Sequence, residues 1–169
     1  AGYHFKNFYK TFPQNEQADE AAYLTAYCYY LEAPKHSLDQ AYTFKAINEI
    51  QLYINTHPNS DKLEDCNAYM EELRNKLELK SYEIAFQYYK TRQYKAAMTA
   101  FTTTVSEYPD TPYREDALYY KTLSAFKLAN NSLEALQDER LTEAETALND
   151  FEEAFPTSDR LEDLRKLIH

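Results

Sequence analysis

Residues 81–111 read Ser81-Tyr82-Glu83-Ile84-Ala85-Phe86-Gln87-Tyr88-Tyr89-Lys90-Thr91-Arg92-Gln93-Tyr94-Lys95-Ala96-Ala97-Met98-Thr99-Ala100-Phe101-Thr102-Thr103-Thr104-Val105-Ser106-Glu107-Tyr108-Pro109-Asp110-Thr111. Apolar residues recur at three- and four-residue steps on both sides of the polar stretch 91–93, which predicts two helices joined by a short turn. Pro109 ends the second helix, because a proline pushes the residue before it out of the α region. Small residues at Ala85 and Ala97 let the two helices approach closely. Large residues at Tyr88 and Phe101, with the aliphatic Ile84, are expected to fill the space between successive units.

The same closing phrase occurs four times: Phe12-Pro13-Gln14-Asn15, His57-Pro58-Asn59-Ser60, Tyr108-Pro109-Asp110-Thr111 and Phe155-Pro156-Thr157-Ser158, with prolines 45, 51 and 47 residues apart. In each, the Asn, Ser or Thr after the proline is expected to cap the next helix. The repeat junctions therefore fall near 13–15, 58–60, 109–111 and 156–158. With Pro109 at position 32 of a 34-residue unit, Ile84, Ala85, Tyr88, Ala97 and Phe101 occupy the signature positions of a tetratricopeptide repeat. Ala46 and Ile50 repeat the second-helix pattern before Pro58, with Tyr23, Ala26 and Tyr30 serving the first helix. Ala144 and Leu148 repeat it before Pro156, with Tyr120 and Leu123. An insertion surrounds Pro34-Lys35-His36-Ser37, and Asn130-Asn131-Ser132 with Gln137-Asp138-Glu139 are read as a second lengthened connection. Before Pro13, Phe5 and Ala1 hold second-helix positions, so the natural protein is expected to extend further N-terminally.

Leu63, Cys66, Met70, Leu73 and Leu77 form one helical face, and it runs into 81–90 without a breaker. That predicts one helix of roughly 30 residues, about 45 Å long, linking the two halves of the chain. Leu161, Leu164, Leu167 and Ile168 predict a terminal helix. No sustained alternation or Asn-Gly turn competes. The fold class is all-α, a tetratricopeptide-like superhelix of antiparallel helix pairs over 1–169 as a single domain.

Composition narrows function. A net charge of −10 argues against nucleic acid and against a polybasic membrane surface. No stretch of about 18 apolar residues is present. The opening Ala1-Gly2-Tyr3 carries neither Met nor a signal peptide, as in a processed or trimmed product. Gly2 is the single glycine, so a phosphate-binding loop, a dinucleotide fingerprint or a nucleophile elbow has nothing to build it. His4, His36, His57 and His169 lack metal-ligand spacing. Glu71-Glu72 and Glu152-Glu153 read as solvated helix faces. Neither an enzyme nor a cofactor or metal is expected. Cys28 and Cys66 lie in apolar helical stretches and read as separate buried thiols, a disulfide being the alternative.

Aromatic residues, 17 Tyr and 9 Phe, offer the candidate binding groups. Tyr82, Phe86 and Tyr89 form one stripe, and Tyr23, Tyr27 and Tyr30 form a similar ladder. Either stripe packs against a neighbouring repeat or lines a groove for a peptide, to which rings bring large buried area and hydroxyls. Lys90 and Arg92 are candidates to neutralise a carboxylate there.

The series Leu38-Asp39-Gln40-x-x-Thr43-x-x-Ala46, His57-Pro58-Asn59-Ser60, Ala85-Phe86-Gln87-Tyr88-Tyr89-Lys90-x-x-x-Tyr94-x-Ala96-Ala97 and Tyr108-Pro109-Asp110-Thr111 resembles the BamD (YfiO)-like lipoproteins of the bacterial outer-membrane β-barrel assembly machinery. The resemblance covers nearly the whole chain. It implies five repeats behind a signal peptide and an acylated Cys, neither of which lies in this chain. It also implies a lipid-anchored position on the periplasmic face of the outer membrane. Expected partners are the barrel-forming assembly subunit, through C-terminal repeats, other assembly lipoproteins, and unfolded outer-membrane protein segments, through N-terminal repeats. The alternatives are another periplasmic tetratricopeptide adaptor, in cell-wall or division coordination, and an enzyme or carbohydrate binder on the same scaffold.

Overall fold

A computed structural model describes residues 1–167; Ile168, assigned above to the terminal helix, and His169 lie outside the described residues. Eight helices make up the described chain: α1 (Gly2–Thr11), α2 (Ala18–Glu32), α3 (Ala41–Thr56), α4 (Leu63–Lys90), α5 (Tyr94–Glu107), α6 (Arg114–Asn130), α7 (Glu134–Ala154) and α8 (Leu161–Arg165). The fold is all-α and tetratricopeptide-like. Its α4 has 28 residues, as the unbroken pattern predicted, or about 42 Å.

The described chain forms two compact units, one ending at Leu77 and the other beginning at Glu78. In the first, antiparallel α1, α2 and α3 pack with the start of α4. Its core is Ala22, Ala26, Ala46, Ile50, Tyr53, Cys66 and Leu73. The second unit has two clusters. Ala85, Ala97, Phe101 and Ala117 join the end of α4 to α5 and α6. Leu118, Ala125, Phe126, Ala144, Leu148, Phe151, Leu161 and Leu164 join α6, α7 and α8. Each cluster places alanines where two helices of a pair meet and a large ring or aliphatic chain beside them, the close-packed complement of small and large residues.

All four junctions are double turns. Asn15, Ser60, Thr111 and Ser158 each donate a backbone N–H to the carbonyl of the residue before the proline, Phe12, His57, Tyr108 and Phe155, at 3.1–3.2 Å. The proline thus holds the second place of a tight turn, which its fixed φ favours. The Asn, Ser or Thr side chain then accepts the N–H two residues on: Gln17 (2.9 Å), Lys62 (3.1 Å), Tyr113 (3.4 Å) and Arg160 (3.2 Å). This corrects the expected capping. The residue at the start of α2, α6 and α8 is Gln17, Tyr113 or Arg160, with no side-chain cap, and the polar residue lies two positions earlier, where it closes an Asx- or ST-type turn.

Two further expectations are revised. Gln137, Asp138 and Glu139 lie inside α7, so the α6–α7 connection is only 131–133; the segment from Glu134 has good helix formers and no breaker to keep it open. Ile84 and Tyr88 are exposed, at 46% and 36%. The face of α4 that packs on α5 and α6 carries Tyr82, Ala85, Phe86 and Tyr89, and residues 84 and 88 project away from it.

Connections are fixed locally. Gln40, buried at the end of the insertion, donates its side-chain amide to the carbonyls of Lys35 (2.8 Å), Leu38 (2.8 Å) and His36 (3.3 Å), and its carbonyl accepts from Thr43 Oγ1 at 2.7 Å. Asp39 accepts the Ala41 N–H at 3.0 Å. The Asp-Gln-x-x-Thr motif therefore ties down loop 33–40. At the α4–α5 turn, Gln93 N–H reaches the Tyr88 carbonyl at 2.9 Å with Arg92 at φ 62, the six-to-one closure of a Schellman motif.

Candidate functional site

α2 aligns Tyr23, Tyr27 and Tyr30 along one side because their spacing of four and three residues keeps them on one helical face. Tyr23 and Tyr27 stack at 6.2 Å, and Tyr27 and Tyr30 at 6.2 Å. α4 supplies Tyr69, whose ring lies 4.3 Å from Tyr30 and 5.6 Å from Tyr27. The Tyr69 hydroxyl is 3.3 Å from that of Tyr23. Offset and tilted contacts of this kind add to plain area burial. The Tyr30 hydroxyl donates to the Glu72 carboxylate; that bond holds the tyrosine proton, and Tyr30 is pushed up to about 12. The same bond, with Lys76, lowers the Glu72 carboxyl below its ordinary range. Burial, then the Tyr69 hydroxyl, raises Tyr23. Lys62 and Lys76 lie 5.9 Å over the Tyr23 and Tyr30 rings.

One end of this ladder opens on a cleft of roughly 990 Å³ lined by Asp19, Tyr23, Tyr53, His57, Ser60 and Lys62 among others. Tyr53 stacks on His57 at 4.5 Å and meets Ser60 Oγ at 2.7 Å. His57 Nε2 is 3.3 Å from the Asp19 carboxylate. The cleft thus joins aromatic faces to both signs of charge and to hydroxyls.

The second ladder repeats the first. Tyr82, Phe86 and Tyr89 stack at 5.9 and 6.1 Å. α6 supplies Tyr120, 4.8 Å from Phe86 and 5.0 Å from Tyr89, and Tyr113 lies 5.0 Å from Tyr82 just before α6. Burial pushes Tyr82 up to about 12. All three rings are half-buried against the cluster of Ala85, Ala97, Phe101 and Ala117. Lys90 Nζ sits 5.7 Å over the Phe86 ring, while Arg92 is exposed at the turn. Residue-by-residue reading missed the partners Tyr69 and Tyr120. Each stands eleven residues after its junction proline, Pro58 or Pro109, and that common offset is the signal that finds them.

Among the described residues no His, Cys, Asp and Glu side chains cluster as metal ligands, and no helix is long and apolar enough to cross a membrane. Cys28 and Cys66 are free thiols. The outer-membrane lipoprotein family YfiO matches residues 1–134.

The chain belongs to the YfiO family of outer-membrane lipoproteins. Its curated relatives include the outer membrane protein assembly factor BamD of Caulobacter vibrioides, 27% identical over 112 residues, 66% of this chain and 37% of the relative. The chain thus spans little more than a third of that relative's length. Both ladders of this YfiO-family chain, and the cleft beside the first, fall inside the matched residues.

Proposed function

We propose that the chain is a non-catalytic scaffold of outer-membrane β-barrel protein assembly. The observation that carries this is the family match over residues 1–134, seconded by a relative named as an assembly factor. On this reading residues 1–169 act as one repeat domain on the periplasmic face of the outer membrane, held by a lipid anchor outside the chain. It binds the barrel-forming assembly subunit, other assembly lipoproteins and unfolded outer-membrane protein segments. Tyr23, Tyr27, Tyr30, Tyr82, Phe86, Tyr89, Lys90 and Arg92 provide the contact surface. The stacked tyrosines support the assignment: rings held by neighbours lose little entropy on binding, and hydroxyls pair with exposed peptide groups.

Affinity capture with the tagged chain from detergent-solubilised Gram-negative envelopes is the test. The expected result is recovery of a heat-modifiable barrel protein, reduced by Tyr27→Ala, which removes the half-buried middle ring of the ladder. Recovery of soluble proteins alone would falsify the proposal.

A further inference from the structure

Two stretches of the chain can be laid over each other by counting from their prolines. Six, seven and ten residues after Pro13 stand Asp19, Glu20 and Tyr23; after Pro109, Glu115, Asp116 and Tyr119. The junctions that follow, at Pro58 and Pro156, carry Ser60 and Lys62 against Ser158 and Arg160, two and four residues on. The second unit uses these positions to close itself. Ser158 Oγ donates to the Glu115 carboxylate at 2.6 Å, Arg160 pairs with Asp116, and the Arg160 guanidinium lies 4.9 Å over the Tyr119 ring. Those contacts fasten the first turn of α6 to the turn between α7 and α8.

The first unit holds the same residue types and makes neither bond. Ser60 meets the Tyr53 hydroxyl instead, and Asp19 meets His57 Nε2. Lys62 lies 5.9 Å over the Tyr23 ring, the counterpart of Arg160 on Tyr119, but its ion partner is Asp61 at 3.5 Å rather than Glu20. These groups line the cleft of roughly 990 Å³. The cause is legible at two positions. Five residues and one residue before the closing proline, the second unit has Phe151 and Phe155, whose side chains carry no polar atom; the first has Tyr53 and His57. The Tyr53 hydroxyl captures Ser60, and the His57 ring captures Asp19. His57 is itself held by the Tyr53 ring, stacked at 4.5 Å, and through Nδ1 by Thr56 Oγ1 at 2.8 Å.

We propose that Tyr53 and His57 are the residues that keep this cleft open, and that its closed form is the bonded arrangement of the second unit, with Ser60 on Asp19 and Lys62 on Glu20. Closure takes Glu20, Lys62 and the Tyr23 ring away from any partner, so the two side chains act as a gate on the cleft. All of these groups belong to α2, α3 and the turn between α3 and α4. The proposal is independent of the assembly role, since it follows from comparing two junctions of one chain.

The test is cross-linking of the intact chain with a water-soluble carbodiimide, which joins a carboxylate and an amine in contact as an amide and takes up the water lost. Mass spectrometry of the digested chain reads the link between Glu20 and Lys62. Tyr53→Phe with His57→Phe gives this junction the residue types of the Pro156 junction. It is expected to raise the link at least about threefold, the change that one hydrogen bond makes in an open–closed balance. His57→Gln, which keeps a donor toward Asp19, should raise it less than His57→Phe, a distinction that loss of packing alone would not make. An Arg160→Lys variant supplies the reference for a closed junction through its link to Asp116, and adding Phe155→His should lower that link. Circular dichroism checks that each variant is folded; should the double variant unfold, Tyr53→Phe alone, which removes one oxygen, carries the same test. An unchanged link between Glu20 and Lys62 in the folded variant would overturn the proposal. So would equal links in His57→Gln and His57→Phe, or a link in the unaltered chain already as strong as the reference.

Discussion

Phe101 and Tyr88 occupy equivalent-looking aromatic positions in the third repeat, yet the structure separates them sharply, and their truncation measures that separation. Phe101 has no exposed surface, and its ring lies 6.1 Å from Tyr82 and 6.2 Å from Tyr120. Phe101→Ala removes the ring around which α4, α5 and α6 meet, and helices of this length do not collapse into the space. A core Phe→Ala change costs about 3–5 kcal/mol. That is a large part of the roughly 5–15 kcal/mol that a domain of this size holds. At about 2–4 °C per kcal/mol for a chain of this length, the melting temperature falls by at least about 6 °C. Tyr88→Ala removes a ring that is 36% exposed and outside the packed face, and costs about 0.5 kcal/mol, as surface changes do. Native-state hydrogen exchange at the amides of α5 and α6 reports on this region directly. Loss of protection of comparable size in the two variants would show that both positions share the core and that the assignment of α4's packed face is wrong. Should Phe101→Ala fail to fold, Phe101→Leu offers the same comparison at lower cost.

Two further changes probe the turn and the first ladder. Arg92 holds φ 62, where a side chain costs about 1 kcal/mol relative to glycine; Arg92→Gly is expected to raise the melting temperature by several degrees in calorimetry, and a fall would exclude a strained left-handed residue there. The Tyr30–Glu72 bond links stability to pH at both ends. Glu72 is lowered in the folded state, so its contribution is present above the ordinary carboxylate range and is lost as pH falls through the lowered value. Tyr30 is raised to about 12, so its contribution is complete below the ordinary tyrosine value near 10 and is lost as pH rises through about 12. Ultraviolet titration of tyrosinate should lose one of its late-ionising tyrosines in Tyr30→Phe, and Glu72→Gln should flatten the acid limb of urea stability; unchanged curves in both variants would dismiss the bond.

The sequence by itself determined the all-α repeat, its four junctions and the long helix. These are local matters: proline blocks a helix, a polar side chain two residues ahead of the restart closes a turn onto the backbone, and an unbroken three- and four-residue apolar period continues a helix. It determined the ladders too, because Tyr23, Tyr27 and Tyr30, and Tyr82, Phe86 and Tyr89, fall on one helical side by spacing alone. Which side of α4 faces inward was a tertiary decision. Both the Ile84–Tyr88 stripe and the Tyr82–Phe86–Tyr89 stripe are apolar at helical period, and only the positions of α5 and α6 choose between them. The rings that complete each ladder, Tyr69 and Tyr120, come from the next helix pair, tens of residues away in sequence. Which rings are covered is likewise a tertiary matter, Phe101 having no exposed surface and Tyr88 being 36% exposed, since burial belongs to whatever packs against a residue and not to the residue itself.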